Sequence, residues 1–366
     1  MAFFSTAASD GNTPVLHSRK VFRNSLDQTT VRSWYGAKGS GKPIILDTTL
    51  KAQPGETVRF HFTPFTGNNP IRGQAAGILG NENAISEYNF PLTVDEVKWG
   101  LRREGRMTEQ RSILNTRNEH TIQLTNQLRE FNTDQTFRVL SGYTNETDTA
   151  VGDARVNGSG RCIESTGTGT VPTPVAAGGS DETALNTSIA ATDVMTVRLI
   201  EDAVIMARGQ DTRTNGFGTY RINPISVGPN FTPMYLAYLS LPCARDLKDD
   251  ARFESFWLAL VESGMADDPI ATGALGKIGN VLVFETERVY TFGSSGDGVA
   301  RNLLIGADAM VQGYALTSDY TEEVLDHKRV LSSGVTEHRG EAKVTLEIAG
   351  GTSEDAGVIQ MIAASN

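Results

Sequence analysis

Two alternating runs held apart by a long gap constrain this chain more than any other feature. Thr57-Val58-Arg59-Phe60-His61-Phe62-Thr63 alternates strictly and places Val58, Phe60 and Phe62 on one face of a strand. A second run carries Phe90, Leu92 and Val94, then Val97, Trp99 and Leu101. Its apolar positions change parity at Asp95-Glu96, which predicts a bulge there. Between the runs lies Thr66 to Glu87, rich in Gly and Asn. A compact domain has no room for a loop of that length unless the loop is functional or disordered. The pieces predict one long hairpin over Thr57 to Leu101 with a projecting tip. A two-stranded ribbon is marginal in water by itself, so it needs a partner surface, and a second copy of the chain could supply one.

From about Met107 to Leu140 there is no Pro and no Gly. Thr108 can cap the start, and Gly142 stands just past the end. Ile113, Leu124, Leu128, Phe131 and Val139 recur near the helical period among Asn, Gln, Thr and Arg. This predicts a helix of about 50 Å with one thin apolar stripe, lying across the outside of a domain.

The flanking segments differ in kind. Residues 1–56 have little periodicity beyond Ile44-Ile45-Leu46 and read as a frayed leader or an arm that wraps a neighbour. Tyr143 to Asn186 is dominated by Gly, Thr, Ser and Asp and reads as an exposed insertion. A second helix is expected from Thr192 as N-cap to Gly209, with Met195, Leu199, Ala203 and Met206 on one side. A buried strand is expected near Met234 to Leu241. A short helix carrying Phe253, Phe256, Trp257, Leu260 and Val261 should follow, capped by Asp249 or Asp250. Strand-like runs return at 281–284, 303–305 and Lys343 to Ile348. Helices and separate strand runs without a βαβ rhythm indicate an α+β fold.

Of 366 residues, 39% are hydrophobic and 21% charged, which excludes a disordered or collagen-like chain. No apolar stretch is long enough to cross a bilayer, and MAFFSTAASDGN lacks a signal peptide's basic and apolar regions. Net charge is −10, divided unevenly. Residues 1–140 hold 17 Lys/Arg against 13 Asp/Glu, and the remainder 16 against 30. Such an acidic chain is poorly suited to tight sequence-specific DNA binding.

Chemical motifs are weak. Gly36-Ala37-Lys38-Gly39-Ser40-Gly41-Lys42 imitates a phosphate-binding loop, but Pro43 replaces the required hydroxyl residue and an extended run follows. A turn is the expected structure. Cys162 and Cys243 have no metal-ligand spacing and read as unpaired thiols; the five histidines are scattered. Asp249-Asp250 and Asp267-Asp268 suit helix ends better than acid–base chemistry. No catalytic residue, cofactor or metal site is expected. The basic run Lys98, Arg102, Arg103, Arg106 and Arg111 is balanced by Asp95, Glu96, Glu104 and Glu109, as on a salt-bridged surface or in an intersubunit charge network.

The order of arm, long hairpin, long helix, insertion and α+β body resembles the HK97-type fold of tailed-phage major capsid proteins. Gly80-Asn81-Glu82-Asn83-Ala84-Ile85, the Tyr88 to Val97 strand, Gly105-Arg106-Met107-Thr108-Glu109-Gln110-Arg111 and Pro269 to Gly276 are similar to the N4-like branch of that family. The resemblance implies an N-terminal arm (1–56), an extended E-loop hairpin (57–101), and a peripheral domain with spine helix and insertion (102–191). An axial domain (192–315) and a return to the peripheral domain (316–366) would follow. It implies a non-enzymatic shell protein that assembles with itself into hexamers and pentamers around double-stranded DNA, in a virion built in the host cytoplasm. Portal, scaffold and decoration proteins would be further partners, and no membrane would be involved. Candidate intersubunit contacts are Arg72, Asn81, Glu82, Glu87, Arg102, Arg103, Arg106 and Arg111. The competing readings are an encapsulin-like nanocompartment shell and a phage tail or decoration protein.

Overall fold

A computed structural model describes residues 21, 31–48, 57–62, 87–103, 116–142, 161–166, 173–174, 189–208, 221–226, 233–254, 274–292, 298–325, 330–348 and 352–365. In chain order, the first half contains β1 (Tyr35–Gly36), β2 (Ile44–Asp47), β3 (Thr57–Phe62), β4 (Tyr88–Thr93), β5 (Asp95–Arg103), α1 (Thr116–Leu140), β6 (Cys162–Glu164) and β7 (Thr173–Pro174). The second half continues with α2 (Val197–Ala207), β8 (Tyr235–Leu239), α3 (Leu241–Lys248), β9 (Gly276–Ile278), β10 (Val281–Glu285), β11 (Thr291–Phe292) and β12 (Val299–Ile305). Five strands close the chain: β13 (Met310–Leu325), β14 (Val330–Lys343), β15 (Thr345–Ile348), β16 (Thr352–Asp355) and β17 (Val358–Ala364).

Two sheets organise these elements. The first runs β1-β2-β13-β14-β5, and the second runs β7-β6-β17-β12-β8-β10-β9 with β11 beside β12. In the second sheet β12 and β17 are buried along their whole length, because both faces are covered. Ala300, Leu304, Ile359, Met361 and Ala363 pack with Leu199, Ala203 and Met206 of α2. Leu303, Ile305 and Val358 turn the other way, towards Phe137 and Leu140 of α1 and Trp34. The polar residues within the two strands are buried too, and Arg301 donates to Gln360 across the pair at 2.9 Å.

The helix α1 spans both sheets. Its first half sets Leu124 and Leu128 against Trp99, Leu101, Tyr320 and Val335 of the first sheet. Its last turns reach the second sheet through Phe137 and Leu140. It buries more than the thin stripe expected, including Thr121, Thr125, Asn132, Thr133, Gln135 and Thr136. Thr125 and Thr136 remain satisfied by donating to carbonyls four residues earlier, at 2.7 and 2.8 Å. The expected first turns, 107–115, lie outside the described residues.

Other expectations shift. Helix α2 is capped four residues later than expected: Thr196 accepts a bond from Leu199 N–H at 3.3 Å, and Asp250 accepts one from Val197 N–H at 3.0 Å. Helix α3 was not anticipated, although Pro242 suits a first turn. Asp249 ends it, and Asp250 opens the next turn by accepting from Arg252 N–H at 2.9 Å. Of the apolar residues expected on that next helix, only Phe253 falls among the described residues, and it is buried. The run Lys343 to Ile348 is two strands, broken at Val344. The long hairpin β13–β14 was missed, and β13 crosses the domain boundary expected at 315.

Candidate assembly surface

The ribbon is rooted in its own subunit. β3 and β4 pair antiparallel, with Phe60 opposite Phe90 and Val58 opposite Leu92. Phe60, Phe90 and Leu92 are buried against Ile45, Val311, Val344, Leu346 and Ala356 of the same chain. A second copy of the chain is therefore not needed to supply the apolar partner at this end of the ribbon. One face has found a home in cis, and Arg59, His61, Asn89 and Pro91 are left on the exposed face. Lys38, from the turn that imitates a phosphate loop, donates to the His61 carbonyl and lies 4.9 Å from the centre of the Phe62 ring. That turn is closed by Ser40 N–H on the Ala37 carbonyl at 3.0 Å, and Gly39 and Gly41 take left-handed conformations. Strand β2, not a helix, follows it.

Nor is there a bulge at Asp95-Glu96. The chain leaves the ribbon at Thr93, passes Val94 and enters β5, which pairs in regular register with β14 from Asp95↔Arg339 to Arg103↔Leu331. The change of parity marks a change of sheet. Gly340 makes the handover possible, because a Cβ there would lie 2.2 Å from the Thr93 carbonyl oxygen. The tip of the ribbon, 63–86, lies outside the described residues.

β5 is the edge of the first sheet, with Glu96, Lys98, Gly100 and Arg102 exposed and Val97, Trp99, Leu101 and Arg103 turned towards α1. Lys98 pairs with Glu96 at 2.8 Å, and His338 lies 3.5 Å from the same carboxylate. Those contacts hold the Glu96 carboxyl below the usual carboxylate range, Lys98 most of all. Beneath the sheet, His120 Nδ1 meets Ser333 Oγ at 3.0 Å. Burial, with help from Arg103, keeps the His120 imidazole below its ordinary range.

Beneath this surface runs a ladder of buried charge. Glu337, Arg339, Glu341 and Lys343 alternate along one face of β14, all of them buried. Arg339 lies 3.3 Å from Glu337, donates to Glu341 and to Asn132 of α1, and stacks over the Phe131 ring at 4.7 Å. Ser318 donates to Glu337. Lys343 passes the ladder on to Asp355 of β16 at 2.9 Å. The adjacent Glu354 pairs with Arg161, beside β6 in the second sheet, at 3.3 Å. Two neighbouring acids thus tie β16 to both sheets through buried ion pairs. On the outside, Arg288, in the turn after β10, makes a second tie by donating to Glu130 and Asp134 on α1.

Of the candidate contact residues, Glu87 stands exposed at the foot of β4, Arg102 points outward, and Arg103 lies half-buried beneath. Arg72, Asn81, Glu82, Arg106 and Arg111 fall outside the described residues. The ladder itself was not anticipated. Cys162 and Cys243 are buried free thiols, and burial pushes the Cys162 thiol up to about 12. Among the described residues, no group of His, Cys, Asp and Glu could hold a metal, and no helix is long and apolar enough to cross a membrane.

The family model described as phage capsid protein matches residues 5–366. The chain belongs to the phage capsid protein family. No curated protein matches it closely enough to count as a relative. In fold, this capsid protein is similar to the capsid of Ralstonia phage GP4, with a TM-score of 0.70 at 22% identity over 92% of this chain and 91% of that one. It is also similar to the capsid asymmetric unit of cyanophage Pam1, with 0.67 at 18% over 100% and 99%. An acidic stable capsid structure of Helicobacter pylori bacteriophage KHP30 gives 0.66 at 15% over 92% and 91%. The α+β architecture of the capsid protein is thus the HK97-type fold, and its role is that of a major capsid protein, a structural part of the virion shell.

Proposed function

We propose that the capsid protein forms hexamers and pentamers that close into an icosahedral shell around double-stranded DNA. The observation that carries this reading is the family match along nearly the whole chain, joined to a ribbon whose root is fixed on its own body. In this reading residues 63–86, carried on that root, make the contact with a neighbouring subunit. Contacts of this head-to-tail kind close into rings, and many modest interfaces add up to a stable shell.

Within this reading Glu87 on the ribbon and Arg102 and Arg103 at the far end of β5 join Arg72, Asn81, Glu82, Arg106 and Arg111 in the contacts between subunits. The first sheet with α1 serves as the peripheral domain and the second sheet with α2 as the axial domain. The motif at 105–111 favours the N4-like branch. The acidic surface tolerates packaged DNA without reading its sequence, the subunits assemble in the host cytoplasm, and portal, scaffold and decoration proteins join the same lattice.

Deleting Gly67 to Ser86 tests the reading. The variant should keep the circular dichroism spectrum and unfolding midpoint of the parent, yet form no shells under negative-stain microscopy. Normal particles from that variant would refute the role given to the tip.

A further inference from the structure

The charge ladder contains an imbalance that its own geometry can resolve. Around Arg339 stand two carboxylates, Glu337 and Glu341, and the three side chains are about 1% exposed. Glu337 is fully served, since one oxygen accepts from Ser318 and the other faces Arg339 at 3.3 Å. Glu341 takes two donors on a single oxygen, Oε1: Arg339 Nη2, and Gln312 Nε2 at 2.5 Å. Gln312, opposite Glu341 on β13, also gives its amide N–H to the Tyr314 hydroxyl at 3.0 Å. Its own carbonyl oxygen, Oε1, is fully buried and accepts no hydrogen bond. A buried carbonyl left in that state is costly.

We propose that Glu341 carries a proton in the folded subunit and donates it from Oε2 to Gln312 Oε1. A carboxylic acid and a carboxamide meeting head to head close a ring of two hydrogen bonds. In one the amide N–H gives to the acid carbonyl; in the other the acid O–H gives to the amide carbonyl. One proton therefore satisfies the orphaned Gln312 oxygen and leaves Arg339 with one anionic partner, Glu337. The other groups shown against this point are polar and uncharged. They are Tyr35 from β1, Gln312 and Tyr314 from β13, and Asn132 and Thr136 from α1. Lys343 is engaged by Asp355, and Asp95 of β5, opposite Arg339, is exposed and adds negative charge. Burial raises the Glu341 carboxyl above its usual range, with Glu337 adding to the effect, while Arg339 and Gln312 oppose it. The layer thus holds its charge balance as the medium is acidified, because the proton is already in place.

Linkage gives the sign. With the folded value raised above the unfolded one, the folded state binds the proton more firmly, so this group's contribution to stability falls as pH rises between the two. A glutamine can imitate the protonated acid at both hydrogen bonds and has nothing to release. Glu341→Gln should therefore gain on the wild type in unfolding midpoint, steadily, as pH is raised from about 5 to about 7. A difference between the two that does not change with pH would overturn the proposal. Infrared spectroscopy of the wild type with isotope-labelled glutamate gives a reading that needs no variant to fold. It should show about one protonated glutamate carboxyl per chain persisting at about pH 7. The absence of that band would overturn the proposal, and so would its loss in Glu337→Gln with retention in Glu341→Gln.

Discussion

Arg339 and Glu337, two residues apart on β14, meet at 3.3 Å with both side chains 1% exposed. Charges so deeply buried are held by each other and by the helix above, through Asn132 and the Phe131 ring. Their net contribution to stability is small, but breaking the set from one side is expensive. Arg339→Ala should cost about 3–5 kcal/mol in urea unfolding of dispersed subunits, because it leaves the buried Glu337 carboxylate without its guanidinium. Replacing Glu337, Arg339 and Glu341 together by apolar residues of similar volume should cost far less. A single variant as mild as the triple one would show that the ladder is solvated.

The root of the ribbon offers a second test. Leu92→Ala should cost about 2–5 kcal/mol, since Leu92 is buried among Ile45, Val311 and Leu346 within one chain. Arg59→Ala, on the exposed face of the same ribbon, should change stability by less than about 0.5 kcal/mol. Equal effects in unassembled subunits would mean that the root is not anchored in cis.

Much of this was legible because burial in the ribbon and α2 follows hydrophobic period. Phe60, Phe90 and Leu92 alternate as half-buried strands do, and the two runs pair as one ribbon; the gap between them, 63–86, lies outside the described residues. The change of parity at Asp95 was a true signal read as the wrong event, since a slip of phase and a change of sheet leave the same trace in a sequence. The hairpin β13–β14 stayed hidden for a physical reason. Its buried face on β14 is Glu337, Arg339, Glu341 and Lys343, so a search for alternating apolar residues assigns the strand's inside to solvent. Pairing that makes such a face tolerable lies on other elements, at Asn132, Gln312, Ser318 and Asp355, and sequence spacing does not reveal it. The α1 stripe was underestimated for the same reason, because its buried threonines satisfy themselves on the helix backbone.

Arg288 gives a prediction on the acid side. Its bonds hold the Glu130 carboxyl below the usual carboxylate range, Arg288 first and Arg129 second. A depressed carboxylate contributes stability above its unfolded value and loses it as pH falls through the folded value. Arg288→Ala should therefore cost less than about 1 kcal/mol near neutrality, because Glu130 and Asp134 are about half exposed. The difference from wild type should shrink in acid and at high salt. A deficit unchanged in acid would mean that packing of Arg288, not its charge, ties the turn to α1.

The junction at β16 should behave as a coupled pair. Lys343→Met strands Asp355, which is fully buried, and should cost about 3–5 kcal/mol. Adding Asp355→Leu should recover part of that loss, a coupling of about 0.5–3 kcal/mol in a double-mutant cycle of unfolding free energies. Simple additivity of the two would show that the contact contributes nothing of its own.

Cryo-electron microscopy of particles assembled from the full chain tests the shell reading most directly. The expected map traces residues 63–86 of each copy away from the root at Phe62 and Glu87 and across the body of an adjacent copy. A map in which that segment folds back on its own first sheet, with neighbours joined by other surfaces, would contradict it.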